Sequence, residues 1–434
     1  MRIVLVSDSY PPLVGGATRD TAMLARHLAG RGHQIRVVTL AQQGLTRTEV
    51  LDGIVVHRVH GLTSALSRDA FRTHHPPLDD PATRLSIRNA LRGFVPEVVH
   101  TYGWLSYAAL AATPSTAVGI LSVRDYGNIC AIRTLLQQKS GAEELCDGPG
   151  LAKCTRCALR YYHGPVRTAA AVVGLRLGRH SLLRRVGGVH YVSNFAKEAV
   201  SAHLLLGEQG PRVIERVIPS FHEPHLPDDL DDGAKRLPSE PFILFVGALR
   251  RVKGVEVLLN AYHALDHPPP LVLIGPRLED TPPAVLKHQH VIEDATPALL
   301  QVAWRRSLFT VAPSTLAEPF GNVVHEAMSW GKPVIGTAPS GMTDMIESGV
   351  NGLLVPHGDA TALRNAMAML LRDPLARDRL GSAARLSAQR FSPDEVLPQF
   401  EDLYEAAGEF YERERAPKHR ARFSPTEGHG PSRD

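Results

Sequence analysis

The stretch "AEPFGNVVHEAMSWGKPVIG", Ala317–Gly336, contains two glutamates, Glu318 and Glu326, with a Pro-Phe-Gly-Asn turn between them. Such a turn is typical of a helix start, and "GKPVIG" at the end of the stretch is typical of a buried strand. A helix N-terminus carries about half a positive charge and unpaired N–H groups. The two carboxylates therefore either compensate the helix dipole or flank a site that holds an anion on amides and hydroxyls on carboxylates.

The spacing inside this stretch favours the second interpretation. If the helix begins near Gly321 or Asn322, Glu326 lies one turn inside it and shares a face with Asn322, four residues earlier. A diphosphate fits such an N-terminus without a metal ion. Carboxylates repel phosphate, so Glu318 and Glu326 are expected to hold the hydroxyls of a sugar and of a ribose on either side of it. The amides that would point toward the turn belong to Phe320, Gly321, Asn322 and Val323.

Outside this stretch, apolar runs alternate with helical patterns twice along the chain. In the first half, "RIVLVS", "QIRVVTL" and "GGVHYVS" are typical of strands buried in a parallel sheet. In the second half, "PFILFVG", "PLVLIG" and "LFTVAPS" repeat that pattern. The alternation predicts an α/β protein with two doubly wound, Rossmann-like domains that face a cleft.

Composition suggests where these domains begin and end. Residues 224–240 are rich in Pro and Asp and predict a linker between an N-terminal domain, 1–223, and a C-terminal domain, 241–393. The first domain carries a cysteine-containing insert at 126–165. Residues 394–412 predict a helix that could return to the first domain, and 413–434 predict a disordered tail.

The overall composition excludes several classes of protein. A chain of 434 residues with 44% hydrophobic content is long enough for two domains, and it contains no apolar run long enough to span a membrane. The N-terminus lacks the features of a signal peptide, which predicts a cytoplasmic protein, with a peripheral position at the inner membrane face left open. A net charge of +4 is too small to indicate a nucleic-acid partner.

Four cysteines are clustered in the predicted insert, in the pattern C-x15-C-x7-C-x2-C. Disulfides are unusual in cytosolic proteins, so two interpretations stay open. The four thiolates could bind a structural zinc ion, or they could be unpaired cysteines of a small lobe. The residues concerned are Cys130, Cys146, Cys154 and Cys157.

With these motifs in place, the sequence resembles glycosyltransferase family 4, retaining enzymes of GT-B fold, in a subgroup with a four-cysteine insert. The most specific segment is "PSTLAEPFGNVVHEAMSWGKPVIGTAPSGMTDMIESGVNGLLVP". "SYPPLVGGAT" near the N-terminus and "FVGALRRVKGVEVLL" in the centre also resemble the family, and the similarity extends over most of residues 1–410.

The resemblance implies roles for the donor-side residues. Glu318 would bind hydroxyls of the donor sugar and stabilise an oxocarbenium-like transition state, Lys253 would neutralise the leaving diphosphate, and Glu326 would bind ribose hydroxyls. Gly15 and Gly16 would let a first-domain loop approach the phosphates, because glycine has no Cβ. The remaining donor contacts would come from Phe320, Gly321, Asn322 and Val323, with Arg250 as a further catalytic residue and Arg251 as a further donor-binding residue.

Two positions depart from the family pattern. The family usually has arginine directly after the glycine of the second-domain loop, where this chain has Ala248. Arg250 or Arg251 is therefore expected to reach the diphosphate instead, since alanine offers no hydrogen-bond donor there. Many members have histidine before an aspartate at the acceptor side, where this chain has Arg124 before Asp125. Arginine stays protonated and cannot act as a base, so Arg124 would bind the diphosphate or an anionic acceptor.

The first domain would form the acceptor side of the cleft. The expected acceptor-side residues are His100, Tyr102, Arg124 and Asp125, and the cysteine insert would shape the same pocket. For His100, an equally good interpretation is a buried, hydrogen-bonded histidine at a strand end. The basic stretch "LRLGRHSLLRRVGG" could contact an anionic membrane or a lipid-linked acceptor, or it could be a solvated helix face.

The sequence as a whole predicts a metal-independent, retaining glycosyltransferase with a nucleotide-diphospho-sugar donor, no catalytic cofactor and an acceptor that is a glycan, a lipid-linked molecule or a small molecule. A sugar-nucleotide epimerase or hydrolase of the same fold is the first alternative. The second is a non-catalytic sugar-nucleotide-binding partner protein, because Ala248 and Arg124 depart from the family pattern.

Overall fold

The computed structural model describes residues 1–13, 15–61, 76–139, 142–205, 212–223 and 235–420. Its strands form two large sheets and one small hairpin, β7–β8. The predicted linker falls mostly outside the described residues, as do the last fourteen residues of the predicted tail.

The first sheet has eight strands in the order β10-β9-β6-β5-β1-β2-β4-β3. All neighbours are parallel except β3, which pairs antiparallel to β4 at the edge. Its strands are β1 (Arg2–Ser7), β2 (Gln34–Leu40), β3 (Thr48–Leu51), β4 (Ile54–Val59), β5 (Val98–Tyr102), β6 (Val118–Val123), β9 (Val186–Tyr191) and β10 (Ile214–Val217). The hairpin strands are β7 (Leu136–Lys139) and β8 (Ala142–Leu145).

The second sheet has six parallel strands in the order β13-β12-β11-β14-β15-β16. They are β11 (Phe242–Val246), β12 (Leu271–Ile274), β13 (Val291–Ile292), β14 (Ser307–Val311), β15 (Val334–Ala338) and β16 (Leu353–Pro356). Both sheets start at a central strand and are wound outward in two directions, which is the doubly wound arrangement that the alternating pattern predicts.

Helices cover both faces of each sheet, so the central strands are buried on both sides and read as continuous apolar runs. Their starts follow ordinary capping rules: the Ser193 side chain accepts from the amide of Ala196, and Asp359 accepts from Ala362. The helices of the first half are α1 (Gly16–Gly30), α2 (Pro81–Ala90), α3 (Ser106–Ala112), α4 (Leu151–Tyr162), α5 (Pro165–Leu183) and α6 (Asn194–Leu204).

The helices of the second half are α7 (Val255–His263), α8 (Pro283–Leu286), α9 (Pro297–Arg306), α10 (Asn322–Ser329), α11 (Ala360–Arg372), α12 (Pro374–Ala388) and α13 (Pro393–Arg420). Short 3₁₀ turns lie at Arg251–Lys253, Gly341–Asp344 and Gln389–Phe391. None of the helices in the described part of the chain is long and apolar enough to cross a membrane.

The last helix packs against the first sheet although it follows the second sheet in the chain. Phe400, Leu403 and Tyr404 of α13 are buried together with Ile3, Leu5 and Ile120 of the first sheet. The sequence predicts a helix over 394–412, whereas α13 extends from Pro393 to Arg420. The predicted tail is therefore helical up to Arg420, and the prediction of disorder from residue 413 is wrong over that part.

Candidate active site

The loops that follow the central strands of the two sheets lie close together. In an open parallel sheet, ligands bind beyond the carboxyl ends of the strands, at the point where the winding direction reverses. That point lies between β1 and β5 in the first sheet, and between β11 and β14 in the second. Glu318 lies in the loop after β14, and Lys253 lies in the turn after β11, so both are at the reversal point of the second sheet.

Lys253 and Glu318 form an ion pair at this point. The Nζ atom of Lys253 lies 2.6 Å from Oε1 of Glu318, and the Ser314 hydroxyl donates to the same oxygen at 2.7 Å. Glu318 is 8% exposed overall, whereas the Lys253 side chain is one-third exposed, at 33%. The carboxylate is thus held in one position by two polar partners, while the Lys253 side chain stays partly exposed.

Helix α10 begins beside this pair with a backbone that only glycine adopts easily. Gly321 is the N-cap, with φ 95° and ψ 68° in the left-handed region, and no side chain caps the helix. The amides of the first turn are therefore not taken up by a capping side chain and point beyond the helix start. Asn322 is the first helical residue, as the sequence predicts from the Pro-Phe-Gly-Asn turn.

The N-terminus of α1 faces the N-terminus of α10 across the gap between the sheets. Nδ2 of Asn322 lies 2.9 Å from both carboxylate oxygens of Asp20. Arg19 donates to Glu326, whose side chain is only 5% exposed. Gly16 is the first residue of α1, and a Cβ placed there would lie 3.6 Å from Nδ2 of Asn322. Gly15, the N-cap, has an extended backbone with φ 171°.

Further contacts join the loop before α10 to the first half of the chain. The Tyr126 hydroxyl donates to the carbonyl oxygen of Ala317 at 2.6 Å, and the Ser193 hydroxyl donates to the carbonyl of Pro319. Burial, together with the nearby Glu318 carboxylate, raises the pKa of Tyr126, so the phenol stays a donor. The turn that carries Glu318 therefore faces the first domain instead of facing away from it.

The Arg124 side chain is 13% exposed and already paired, which differs from its expected role. It donates to Asp20 and, at 2.6 Å, to the Ser220 hydroxyl. Burial, and secondarily the nearby Arg19, lowers the pKa of Arg124 to about 10, which leaves the group charged at neutral pH. Asp125 binds Arg133 at 2.9 Å and the amide of Gly127 at 2.7 Å. In this structure both residues stabilise the first domain and the helix α1 that faces α10.

His100 and Tyr102 lie in the core of the first domain, so their expected place on the cleft wall is wrong. His100 has no exposed surface; its Nδ1 bonds the Tyr404 hydroxyl at 2.8 Å and its Nε2 bonds the Ser122 hydroxyl at 2.6 Å. The Tyr102 ring stacks on His100 with 4.8 Å between centroids and is 3% exposed. Helix α13 covers this part of the sheet, which accounts for the burial and agrees with the alternative interpretation of His100.

The two arginines expected to replace the missing family arginine are paired elsewhere. Nε of Arg250 lies 2.9 Å from a carboxylate oxygen of Asp280, in the loop after β12. Arg251 binds Glu256 at 2.6 Å on the exposed side of α7. In this structure neither guanidinium group takes the place of the arginine that the family has at position 248. Each is held by an acidic residue that is not part of the Lys253–Glu318 pair.

The four cysteines are free thiols in the described part of the insert. Sγ of Cys146 donates to the carbonyl of Gly148 at 3.3 Å, and Sγ of Cys154 accepts from the amide of Gly150 at 3.4 Å. Burial raises the pKa of Cys130 and of Cys157, which favours the neutral thiols. Over the residues that the structure describes, no group of three or more His, Cys, Asp or Glu residues is arranged to hold a metal ion.

Four residues of this site are absent from the sequence-based prediction: Arg19, Asp20, Ser314 and Tyr126. Arg19 and Asp20 lie in the first turn of α1, directly after Gly15 and Gly16, so the Gly-Gly turn was a signal that could have identified them. Ser314 follows the end of β14 by a few residues. Tyr126 has no comparable signal, because its contact depends on how the two sheets face each other.

Comparisons with known proteins agree with this architecture. Residues 229–387 match a family described as "Glycosyl transferases group 1", and residues 15–219 match a "Glycosyl transferase 4-like domain". A D-inositol 3-phosphate glycosyltransferase of Xylanimonas cellulosilytica is 33% identical over 178 residues, which are 38% of this chain and 42% of that protein. The chain therefore spans less than half the length of that relative.

Two further proteins are similar over almost their whole length. A GDP-mannose-dependent alpha-mannosyltransferase of Mycobacterium tuberculosis is 28% identical over 94% of this chain and 97% of that protein. The solved structure of a sucrose-phosphate synthase from Thermosynechococcus elongatus superimposes with a TM-score of 0.71 at 20% identity, over 93% of this chain and 98% of that one. At that identity, the structural similarity shows the fold alone.

Proposed function

Because the chain belongs to the group 1 glycosyltransferases, with a family 4-like first half, we propose that it transfers a glycosyl group from a nucleotide-diphospho-sugar to a hydroxyl acceptor. We propose further that the transfer retains the anomeric configuration and needs no metal ion at the site. The nucleotide-sugar donor is consistent with the GDP-mannose named for the mycobacterial relative.

The observation that carries this proposal is the Lys253–Glu318 pair, 2.6 Å apart beside the uncapped start of α10. A diphosphate on the first-turn amides of Asn322 and Val323 would meet the positive end of the helix dipole and the Lys253 ammonium group. The sugar attached to it would extend toward Glu318. On the other side, the ribose would reach Glu326, one turn into the helix.

In this mechanism the protein stabilises charge in the transition state and supplies no nucleophile. As the bond between C1 and the diphosphate oxygen breaks, negative charge grows on the phosphate and positive charge grows on the sugar ring. Lys253 and the helix amides stabilise the former, and the Glu318 carboxylate stabilises the latter. The acceptor oxygen bonds to C1 on the face that the leaving group occupied, and its proton passes to a phosphate oxygen of that leaving group.

A second cation for the diphosphate would come from the first domain. Ala248 offers no donor, and Arg250 is held by Asp280. Arg19 is 43% exposed in its side chain, and it reaches across to Glu326. When ribose hydroxyls occupy Glu326, the Arg19 guanidinium would be free to turn toward the phosphates, about 6 Å along α10 at the helical rise per residue.

Two rival functions predict different products at the same site. An epimerase or hydrolase would consume the donor without any acceptor, whereas a non-catalytic partner protein would bind the donor and turn nothing over. The relatives named as transferases favour the transferase over the non-catalytic protein.

The test begins with a thermal-shift screen of nucleotide-diphospho-sugars on the full chain, since a ligand of the native state raises Tm by mass action. The donor found is then offered with a panel of glycan, lipid-linked and small-molecule acceptors, and the anomeric product is assigned by NMR. Glu318→Gln and Lys253→Met should each lower kcat by roughly 10²–10³-fold, the usual effect of removing one group that stabilises transition-state charge.

Matched controls separate a functional loss from a structural one. Glu347→Gln and Lys287→Met change the same residue types at exposed positions of the second domain, and both should leave turnover unchanged. Full turnover in Glu318→Gln would remove the central residue from the proposal. Donor consumption that needs no acceptor would favour the hydrolase, and donor binding without any turnover would favour the non-catalytic protein.

A further inference from the structure

Helices α4 and α5 form a hairpin on the outside of the first domain, joined by the short turn at His163 and Gly164. One face of α5 is packed tightly: a Cβ on Gly178 would lie 2.8 Å from the Tyr107 ring, and one on Gly174 would lie 2.9 Å from Leu78. This side of the helix is thus fixed to the domain. The opposite side faces outward.

That outward side of α5 is apolar. Val166, Val173 and Leu177 are 80%, 46% and 71% exposed. Their spacing of seven and then four residues places them on a single face of the helix. An amphipathic surface helix has polar residues at such positions, so α5 is apolar both toward the domain and away from it.

The hairpin and the strand before it concentrate the exposed apolar side chains of the molecule. Of the sixteen large hydrophobic residues that are exposed in the described part of the chain, seven lie between Leu145 and Leu177. Single exposed hydrophobic residues are ordinary, but a group of them on one helix face, such as Val166, Val173 and Leu177, marks an interaction surface. The seven are Leu145, Leu151, Leu159, Tyr161, Val166, Val173 and Leu177.

The same segment is strongly basic. Residues 151–185 contain eight lysines and arginines and no aspartate or glutamate, in a chain whose formal net charge is only +4. The rest of the chain therefore has a formal charge of −4, so the positive charge is a local property of this hairpin. Arg167 and Arg176 are exposed and flank the apolar stripe of α5, and Arg156 and Arg160 are exposed on α4.

This combination of positive charge and apolar surface limits which partners can bind the α4–α5 hairpin. A second copy of the chain, related by a twofold axis, would bring arginines against arginines, since the same patch meets itself in such a dimer. A bilayer that contains anionic lipid offers phosphate groups to the arginines and an apolar interior to Val166, Val173 and Leu177. We propose that the α4–α5 hairpin is a peripheral docking surface for anionic phospholipid membranes.

The proposal is independent of the chemistry at Glu318 and is tested on the full chain with vesicles. In a flotation assay, the protein should bind vesicles of phosphatidylcholine with phosphatidylglycerol, bind phosphatidylcholine alone at least about tenfold more weakly, and lose binding as salt is raised. Val173→Glu with Leu177→Glu should abolish binding, and Arg167→Glu with Arg176→Glu should weaken it at least about tenfold.

The matched control is Leu375→Glu with Leu386→Glu, which changes two exposed leucines of α12 in the second domain, at 82% and 67% exposure. This variant should bind vesicles as the unchanged protein does. Equal binding by all the variants, or no binding by the unchanged protein, would overturn the proposal. So would a concentration-dependent dimer in sedimentation that Leu177→Glu converts to a monomer. The donor-induced rise in Tm should be the same in every variant. A failure of the membrane-binding proposal can therefore be distinguished from a failure of the proposed transferase activity.

Discussion

Asn322 donates from its side-chain amide to both carboxylate oxygens of Asp20, each at 2.9 Å. The residue that begins α10 is thereby tied to the first turn of α1, although 302 residues separate the two in sequence. Asp20 also accepts from Arg124 and from the Ser220 hydroxyl, at 3.2 Å for the latter. One buried carboxylate therefore connects the proposed donor site to the interior of the first domain.

We predict that Asn322→Asp raises the donor Kd at least about tenfold and lowers the free energy of unfolding by about 1–3 kcal/mol, because a second carboxylate then faces the buried carboxylate of Asp20. Adding Asp20→Asn restores one amide–carboxylate pair and should recover most of that stability. Urea unfolding of both single variants and the double variant measures the coupling. If the effects of the two changes on the free energy of unfolding add to within about 0.5 kcal/mol, the contact between Asn322 and Asp20 does not contribute to stability.

A second prediction concerns the ion pair of Arg19 with Glu326. Arg19→Gln removes the cation from a carboxylate that is 5% exposed, so the ligand-free protein should melt at a lower temperature. Because the displaced Arg19 guanidinium is also the proposed second cation for the diphosphate, the donor-induced rise in Tm should be smaller than in the unchanged protein. Arg26→Gln, on the same helix but in an exposed pair with Asp52, is the control and should change neither quantity. An unchanged donor-induced shift in Arg19→Gln would contradict the proposed contact of Arg19 with the diphosphate.

Gly321 gives a third prediction, because its φ of 95° lies where a side chain is strained. Gly321→Ala should lower the free energy of unfolding by about 1–2 kcal/mol and should also abolish donor binding, since the added Cβ distorts the start of α10. Gly349 has a similar φ of +86° with no atom within 4 Å of an added Cβ. Gly349→Ala should therefore cost similar stability and leave donor binding intact. Equal donor affinity in both variants would separate Gly321 from the site.

The buried histidines predict how stability depends on pH. Burial lowers the pKa of His190 to about 3, and burial lowers the pKa of His100 well below 6.5, so both are neutral in the folded state. In the unfolded chain they bind protons below about pH 6.5, so each contributes stability that is complete above that pH and is lost as the pH falls toward the folded pKa. The slope should approach about 1.4 kcal/mol per pH unit for each histidine.

Denaturant unfolding between pH 7.5 and pH 5 measures this slope, and the variants identify its origin. His190→Gln should make the slope shallower, whatever it does to the absolute stability. His267 is 97% exposed, so His267→Gln should leave the slope unchanged. A slope that is the same in both variants would show that His190 does not stay neutral in the folded protein.

The sequence predicts the architecture well where a signal is local. "RIVLVS" forms β1 over Arg2–Ser7, and α10 begins at Asn322, the last residue of the Pro-Phe-Gly-Asn turn. Both signals depend on neighbours within a few residues, namely an apolar run and a glycine with left-handed backbone. The family resemblance assigns Lys253 and Glu318 to one donor site without predicting a contact between them, and the structure brings their side chains to 2.6 Å.

The sequence predicts poorly what depends on the docking of distant segments. The sequence places Arg250 near the diphosphate, whereas in the structure its charge is paired with Asp280. No local signal predicts that pair, because Asp280 lies thirty residues further along the chain. His100 is buried because α13 covers its strand. Its partner on that helix, Tyr404, lies 304 residues further along the chain. The contact of Arg19 with Glu326 needs both sheets in place before it can form.

Helix α13 also determines the order in which this molecule can be completed. The strands of the first sheet are synthesised before the second sheet, whereas Phe400, Leu403 and Tyr404, which cover their apolar surface, are synthesised after it. Until those residues emerge, Ile120 and the His100–Ser122 pair stay open to water. The first domain can therefore complete its folding only after the second domain has been synthesised. Until then its exposed sheet is a surface to which a chaperone could bind.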